Sequence, residues 1–509
     1  MNRSVRRLLG VAAVVVGLVV PTGIAGAAPA GRADGPVPTV RPATGGTGTN
    51  LVSTSFDLGS FGYVEEEFVV GGTATAYTAT PPLPSDGEWT VTPGTTAPFA
   101  TRIVVIRPAA ARDFSGTVFQ EWLNVSAGFD SAPGWTLAHL ELLRSGHVWV
   151  GVSAQAVGVQ GGQSTVAGIQ AGGLKGADPE RYGALEHPGD SYSYDIFTQA
   201  GQAVRSGGVL GPLRAKRVVA TGESQSATRL VTYVDAVQPL TREFDGFLIH
   251  SRFGGAAALS QAPLPAVPAP VPTFIRADVG VPVLQFETET DVGTLGFAAA
   301  RQDDTRRLRT WEVAGTAHAD AYTGSLGFGD VGDGRAEAAL LDYSNPSRGP
   351  LNCSTPVNSG PHWAVLMSAY RHVDAWVRDG TLPPRSPRLE VTAGPTASMG
   401  APGSPPVPTF VVTRDAAGNA VSGIRTPIVD VPRAVVSGEP NDGGSFCRLF
   451  GRTVPFTDAQ VQAAYPTREA YVRAFTRSAR RAVQAGFLLA PEAERMQRAV
   501  GTVPFPGSS

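Results

Sequence analysis

Cysteine is nearly absent from the sequence: its 509 residues contain two, Cys353 and Cys447. Neither has a second Cys or a His nearby at the spacing of a metal ligand, which argues against a metal site. In an exported protein an isolated pair is typical of one disulfide bond that closes a long loop. Two free buried thiols are the alternative.

Runs of positive charge are also missing. The 41 basic and 43 acidic residues nearly cancel, and no segment is rich in Lys and Arg. Nucleic-acid binding is therefore not indicated. Beyond the first thirty residues no stretch is long and apolar enough to cross a bilayer, so we expect no stable membrane anchor once this leader is removed.

The leader, residues 1–30, has the pattern of a signal peptide. Three arginines precede an apolar run at 8–20, and small residues form cleavage sites near Ala27 and Ala30. Pro21 and Gly23 interrupt the apolar stretch directly after this run, which disfavours an uncleaved membrane anchor. The sequence therefore predicts a secreted protein.

The next segment, 31–50, is rich in Gly, Pro and Thr and is predicted to be flexible. From residue 51 to 509 we expect one large domain. Short apolar strands alternate with helical patterns between about 100 and 315, which predicts a mostly parallel central sheet with helices on both faces. Insertions are expected at about 156–190 and 325–360, and a C-terminal extension with helices at about 385–509.

The sequence GESQS at 222–226 is the most informative motif. An apolar strand precedes it and a helical pattern follows, which is the layout of a nucleophile elbow with Ser224 at the turn. The same spacing recurs around Ser191, but no apolar strand precedes that copy. Ser224 is therefore the better candidate nucleophile; a plain N-cap serine is the alternative.

A base and an acid follow in the chain order Ser, acid, His that such a fold requires. His318 lies in a small-residue loop just past a predicted strand, whereas His362 and His372 lie on a predicted helix and are weaker candidates. The preceding strand is followed by acidic residues. Asp291 is ranked first as the acid and Glu289 second, since Glu287 still belongs to the strand.

The oxyanion hole needs two backbone N–H donors. One should come from Gln225, and the other from Asn124 or Val125, after an earlier strand. His250 and Arg252 follow the strand after the elbow, at the sheet edge that lines the site in such folds, so they contact substrate or form a structural turn. This chemistry requires neither a cofactor nor a metal.

Several segments together resemble the α/β-hydrolase superfamily, and more narrowly a group of bacterial alpha/beta hydrolase domain proteins. They are EWLNV at 121–125, HPGD at 187–190, GESQS at 222–226, FDGFL at 244–248, GTAHAD at 315–320 and SGIRTP at 422–427. The resemblance implies the α/β-hydrolase fold and a serine hydrolase with Ser224 as nucleophile and His318 as base. It implies little about the substrate. The elbow ends in Ser226 where the wider superfamily usually has Gly.

We therefore expect a secreted carboxylic-ester hydrolase that acts on a small-molecule ester through an acyl-enzyme. An amidase or peptidase, or an acyltransferase, is possible on the same three residues. A non-catalytic surface binding module is the alternative from another class, although it would not need a serine, a histidine and an acid together.

Overall fold

Strands of the chain form one large sheet and three small hairpins in the computed structural model, which describes residues 37–51, 53–163, 170–397, 407–444 and 446–507. The predicted signal peptide lies outside the described residues. The strands, in chain order, are β1 (Thr39–Pro42), β2 (Tyr63–Thr78), β3 (Thr92–Pro108), β4 (Thr117–Trp122), β5 (Val148–Val152), β6 (Gly162–Gln163), β7 (Gln170–Ala171), β8 (Arg217–Glu223), β9 (Gly246–His250), β10 (Val283–Thr288), β11 (Leu308–Val313), β12 (Val391–Ala397), β13 (Val407–Val412), β14 (Ala434–Ser437) and β15 (Arg452–Pro455).

Helices lie in half of the connections between successive strands and dominate the C-terminal part of the chain. In chain order they are α1 (Pro133–Arg144), α2 (Ala156–Gln160), α3 (Gly173–Ala177), α4 (Pro179–Tyr182), α5 (Ser193–Ser206), α6 (Gln225–Thr232), α7 (Gln238–Thr241), α8 (Glu289–Val292), α9 (Arg335–Leu341), α10 (His362–Asp379), α11 (Pro427–Asp430), α12 (Asp458–Ala464), α13 (Arg468–Gln484) and α14 (Ala490–Thr502). None of the described helices combines the length and the apolarity needed to cross a membrane.

The large sheet has the strand order β1-β2-β3-β5-β4-β8-β9-β10-β11. Every neighbouring pair from β5 to β11 is parallel, whereas β2 pairs antiparallel with both β1 and β3, and β3 pairs antiparallel with β5. Parallel neighbours bring the carboxyl ends of their strands to one edge of the sheet, where side chains on the following loops can meet.

The sheet is covered on both faces, as predicted. Successive residues of one strand point to opposite faces, and in β9 Phe247 and Ile249 join one buried apolar cluster while Leu248 joins the other. Helices α1 and α10 contribute to the cluster around Leu248, and α5 and α6 to the other. The central strands are buried on both sides, which explains why their sequences are continuously apolar rather than alternating.

The 31–50 segment was predicted to be flexible, but its β1 pairs with Phe68–Gly71 of β2, because an edge strand offers unpaired backbone groups that a second strand can satisfy. The insertion expected at about 156–190 contains α2, α3, α4 and the β6–β7 hairpin.

The C-terminal extension contains the predicted helices α12, α13 and α14 and two antiparallel hairpins, β12–β13 and β14–β15. The predicted disulfide is confirmed: Cys353 and Cys447 are bonded, with their Cα atoms 5.6 Å apart. The bond ties the segment after α9 to the turn that precedes β15.

Candidate active site

Ser224 stands at a sharp turn between β8 and α6. Its backbone has φ 62° and ψ −122°, a conformation that costs energy for any residue with a side chain. Small neighbours allow this turn, since a Cβ added to Gly222 would lie 3.1 Å from Cβ of Ser226. The Ser224 N–H also donates to the His250 carbonyl at the end of β9 (3.0 Å), which anchors the turn to the sheet.

The hydroxyl of Ser224, the imidazole of His318 and the carboxylate of Asp291 form one chain of hydrogen bonds. Nδ1 of His318 lies 2.6 Å from Oδ1 of Asp291, and Nε2 lies 2.8 Å from Oγ of Ser224. An ionised carboxylate only accepts, so Nδ1 carries the proton of the neutral ring and Nε2 accepts from the serine hydroxyl. This tautomer is the one that can take a proton from Ser224.

Asp291 is held by the first turn of α8. Thr288 caps this helix, and its N–H and its hydroxyl both donate to Oδ2 of Asp291 (2.7 Å each). The other oxygen, Oδ1, stays available for His318. The local sequence therefore fixes both the position and the orientation of the carboxylate.

Glu289, the second-ranked acid, points elsewhere. Its Oε1 accepts from the Gly315 N–H (2.6 Å), and its Oε2 accepts from the Gly438 N–H (3.0 Å) and from Arg414 (3.1 Å). It thus braces the loop that carries His318 without touching the imidazole. Glu287 lies within β10, as expected, and burial raises the pKa of its carboxyl well above the usual value.

Opposing effects act on His318. Burial disfavours its charged form, but the nearby carboxylates of Asp291 and Glu223 favour it, and together they raise the pKa of the imidazole above its ordinary value of 6.5. The two carboxylates therefore favour the imidazolium that would form if His318 took a proton from Ser224.

The loop after β4 adjoins the serine turn, as predicted, but one predicted oxyanion donor is engaged elsewhere. The backbone N–H of Asn124 donates to the Ser131 carbonyl (3.0 Å), so it is not available, because this loop folds back on itself as a small bridge. The hydroxyl of Ser226 lies 3.3 Å from the Leu123 carbonyl, which holds the loop against the elbow. Among the described residues none accepts a hydrogen bond from the Val125 N–H.

Gln225, the other predicted donor, is the first residue of α6, where backbone N–H groups lack intrahelical partners. Gln225 and Val125 are therefore the remaining candidates for the oxyanion hole.

His250 and Arg252 were predicted as substrate contacts or as a structural turn, and the structure places both in the interior. Nε2 of His250 lies 2.6 Å from Nε2 of His362, the first residue of α10. Arg252 donates to the Gln285 side chain (2.9 Å) and to the Thr273 carbonyl (2.5 Å). Both side chains are buried, His250 against the start of α10 and Arg252 against the segment before β10.

The two histidines of α10, His362 and His372, both contact other parts of the fold. Burial lowers the pKa of His362 to about 4 and that of His250 well below 6.5, so both rings are neutral at neutral pH. His372, farther along α10, bonds to the Gly486 carbonyl (2.9 Å).

The competing serine, Ser191, is packed away from His318. Its hydroxyl donates to the Gln261 carbonyl (2.7 Å) and accepts from the Gln261 N–H (2.9 Å). The Ser191 hydroxyl therefore both donates and accepts a hydrogen bond within the interior.

Glu223 was not singled out from the sequence, although it lies inside the pentapeptide. Its Oε1 lies 3.3 Å from Nε2 of His318, and burial raises the pKa of its carboxyl to about 7. Only the folded loop brings the histidine to it, so its position before the serine was the sole available signal. In the part of the chain that the structure describes, no group of three or more His, Cys, Asp or Glu side chains is placed to hold a metal ion.

Comparison with known proteins identifies one family. The sequence model of the alpha/beta hydrolase domain matches residues 34–498. Among solved structures, a fungal esterase from Rhizomucor miehei matches at 14% identity over 50% of this chain and 77% of that chain, with a TM-score of 0.25. An esterase from Pseudomonas putida matches at 14% identity over 51% of this chain and 75% of that chain, with a TM-score of 0.25. An esterase from Pyrococcus furiosus matches at 10% identity over 52% of this chain and 86% of that chain, with a TM-score of 0.27. No curated protein matches the chain.

Proposed function

Because the chain belongs to the alpha/beta hydrolase domain family, we propose that it is a serine hydrolase that cleaves small-molecule carboxylic esters. One observation carries the proposal: the strained turn at Ser224 presents its hydroxyl to His318 at 2.8 Å, and His318 is bonded in turn to Asp291 at 2.6 Å. A merely structural serine would need neither the strained backbone nor the oriented imidazole.

In the proposed reaction Ser224 attacks the acyl carbon while its proton passes to Nε2 of His318. Asp291 stabilises the resulting imidazolium and keeps the ring in place. The imidazolium then protonates the departing alkoxide, leaving an acyl-enzyme. A water molecule, deprotonated by the same imidazole, releases the acid and restores the serine.

The negative charge that develops on the acyl oxygen needs two donors. We propose the backbone N–H groups of Gln225 and Val125, at the start of α6 and beside the elbow. Backbone donors held by the fold stabilise this charge without reorganising during the reaction.

We also propose that the protein is exported, as its leader and the narrower resemblance to bacterial members of the family suggest. The disulfide between Cys353 and Cys447 supports this proposal, since such bonds persist in oxidising compartments. We propose neither a nucleic-acid partner nor a membrane anchor after processing. Recovery of the natural protein from the culture medium with its leader removed tests this point; retention in the cytoplasm would refute it.

The activity is tested with p-nitrophenyl esters of increasing chain length, beside peptide p-nitroanilides. We expect ester hydrolysis that Ser224→Ala reduces by several orders of magnitude. Ser191→Ala is the matched control and should keep activity within about tenfold of the wild type. Anilide cleavage exceeding ester cleavage would favour an amidase. Full activity in Ser224→Ala would refute the proposal.

A further inference from the structure

A second carboxylate faces the catalytic histidine from the side opposite Asp291. Oε1 of Glu223 lies 3.3 Å from Nε2 of His318, the atom to which the Ser224 hydroxyl is bonded at 2.8 Å. The Glu223 side chain is 10% exposed, so water screens this contact weakly. Among the described ion pairs, His318 is the one cationic partner of Glu223.

Asn124 holds Glu223 in this position. Its amide Nδ2 donates to Oε2 of Glu223 (3.0 Å) and to the Glu223 carbonyl (3.2 Å). The amide orientation is determined independently, because Oδ1 of Asn124 accepts from the Ser126 N–H (2.8 Å). The backbone of Asn124 is pinned in both directions to Ser131. The carboxylate is therefore directed at the imidazole by a rigid loop.

Other ionisable groups surround the pair. Asp291 faces Nδ1 from α8, and Glu121 approaches Glu223 from β4. His250 from β9 and His362 from α10 also face His318, but burial lowers their pKa values and they stay neutral. Burial raises the pKa of Glu121 to about 7, so this group titrates in the same range as Glu223 and needs its own control.

Building on the proposed function, we propose that Glu223 acts as a second carboxylate of the catalytic base, stabilising the imidazolium of His318 at Nε2, and that Asn124 is its positioning residue. As Oγ of Ser224 bonds to the acyl carbon, its proton moves to Nε2, and the cation so formed lies between two carboxylates. The proton then passes to the alkoxide as the ester C–O bond breaks. Above its pKa of about 7 Glu223 is ionised, and it stabilises the cation without gaining or losing a proton in this sequence.

The test is the pH dependence of kcat/KM for a p-nitrophenyl ester in Glu223→Gln. The substitution keeps the shape of the side chain and removes its charge. We expect the plateau value of kcat/KM to fall by about tenfold, which is the order expected for the loss of one charge-assisted contact. We also expect the midpoint of the acid limb of this pH profile to move to lower pH. The direction follows because a neighbouring carboxylate favours protonated His318, and its loss lets the ring stay neutral further into acid.

Glu121→Gln is the matched control. It removes another buried carboxylate of the sheet, one that accepts from the Gly134 N–H (2.8 Å) and the Trp149 indole (2.8 Å) and does not touch His318. We expect it to lower thermal stability without moving the acid limb. An unchanged midpoint in Glu223→Gln, or an equal shift in Glu121→Gln, would overturn the inference.

Asn124→Ala provides a second route should Glu223→Gln fail to fold. Freeing the carboxylate should move the acid limb in the same direction by a smaller amount; no movement would count against the inference. Ser224→Ala in the same assay separates the two proposals. If it is inactive while Glu223→Gln behaves like the wild type, the inference fails and the hydrolase proposal stands. If it is active, the hydrolase proposal itself fails.

Discussion

Oδ1 of Asp291 lies 2.6 Å from Nδ1 of His318, at the carboxyl ends of two adjacent parallel strands. Glu289, two residues earlier, faces the opposite way and bonds to the backbone of Gly315 and Gly438. The capping turn of α8 separates the two carboxylates. Asp291 lies beside the imidazole, whereas Glu289 binds the backbone of the neighbouring loops.

This separation predicts different consequences for the two amide substitutions. Asp291→Asn should reduce kcat by about 10⁴-fold, because an amide in this place favours the wrong tautomer of His318. Glu289→Gln should lower the free energy of unfolding by about 2 kcal/mol, since a charged acceptor of three hydrogen bonds is lost, and should affect kcat far less. Steady-state kinetics beside urea unfolding measures both. A larger kcat loss in Glu289→Gln would reverse the assignment of the acid.

The buried pair of His250 and His362 predicts sensitivity to acid. The folded state holds the pKa of His362 at about 4 by burial, whereas the unfolded chain binds a proton near 6.5. The stability that depends on the neutral ring is therefore fully present above pH 6.5 and is lost as the pH falls towards 4.

We expect His362→Gln to be less stable than the wild type at pH 8, because the ring stacks on Phe286 with centroids 5.5 Å apart. The deficit should narrow at pH 5, where the wild type has lost part of its own stability. Urea unfolding at the two pH values measures this difference. A deficit that is the same at both would show that His362 does not titrate on unfolding.

The sequence predicted the serine, the histidine and the acid because each stands just after an apolar strand, and parallel strands gather their carboxyl ends. It mispredicted the Asn124 N–H because the return of that loop to Ser131 leaves no pattern in the residues. Arg252 was expected either to contact substrate or to form a structural turn, and its guanidinium bonds in the interior to a carbonyl and an amide from distant segments. Contacts between loops far apart in sequence, such as Glu223 with His318, depend on tertiary folding and carry no local periodicity.

The disulfide predicts a loss of stability that precedes any loss of activity. The bonded cysteines are separated by 94 positions, and removing both as Cys353→Ser/Cys447→Ser should cost about 4–5 kcal/mol in the loop-entropy account. The loop of His318 also has hydrogen bonds of its own, since the Asn358 amide donates to the carbonyls of Gly315 (3.1 Å) and Ser437 (3.0 Å).

The double variant should therefore melt at a lower temperature and keep most of its ester hydrolysis at 25 °C. Thermal unfolding and initial rates, with the reduced wild type as control, test this expectation. An unaltered melting temperature, or activity lost while the chain is still folded, would contradict it.

Covalent trapping shows whether Ser224 is a nucleophile that His318 activates. A fluorophosphonate should modify the folded protein once, and peptide mapping should place the adduct on Ser224. Labelling should vanish in Ser224→Ala, persist in Ser191→Ala and slow markedly in Asp291→Asn. An unmodified folded wild type, or an adduct on a different serine, would contradict the assignment of Ser224 as the nucleophile.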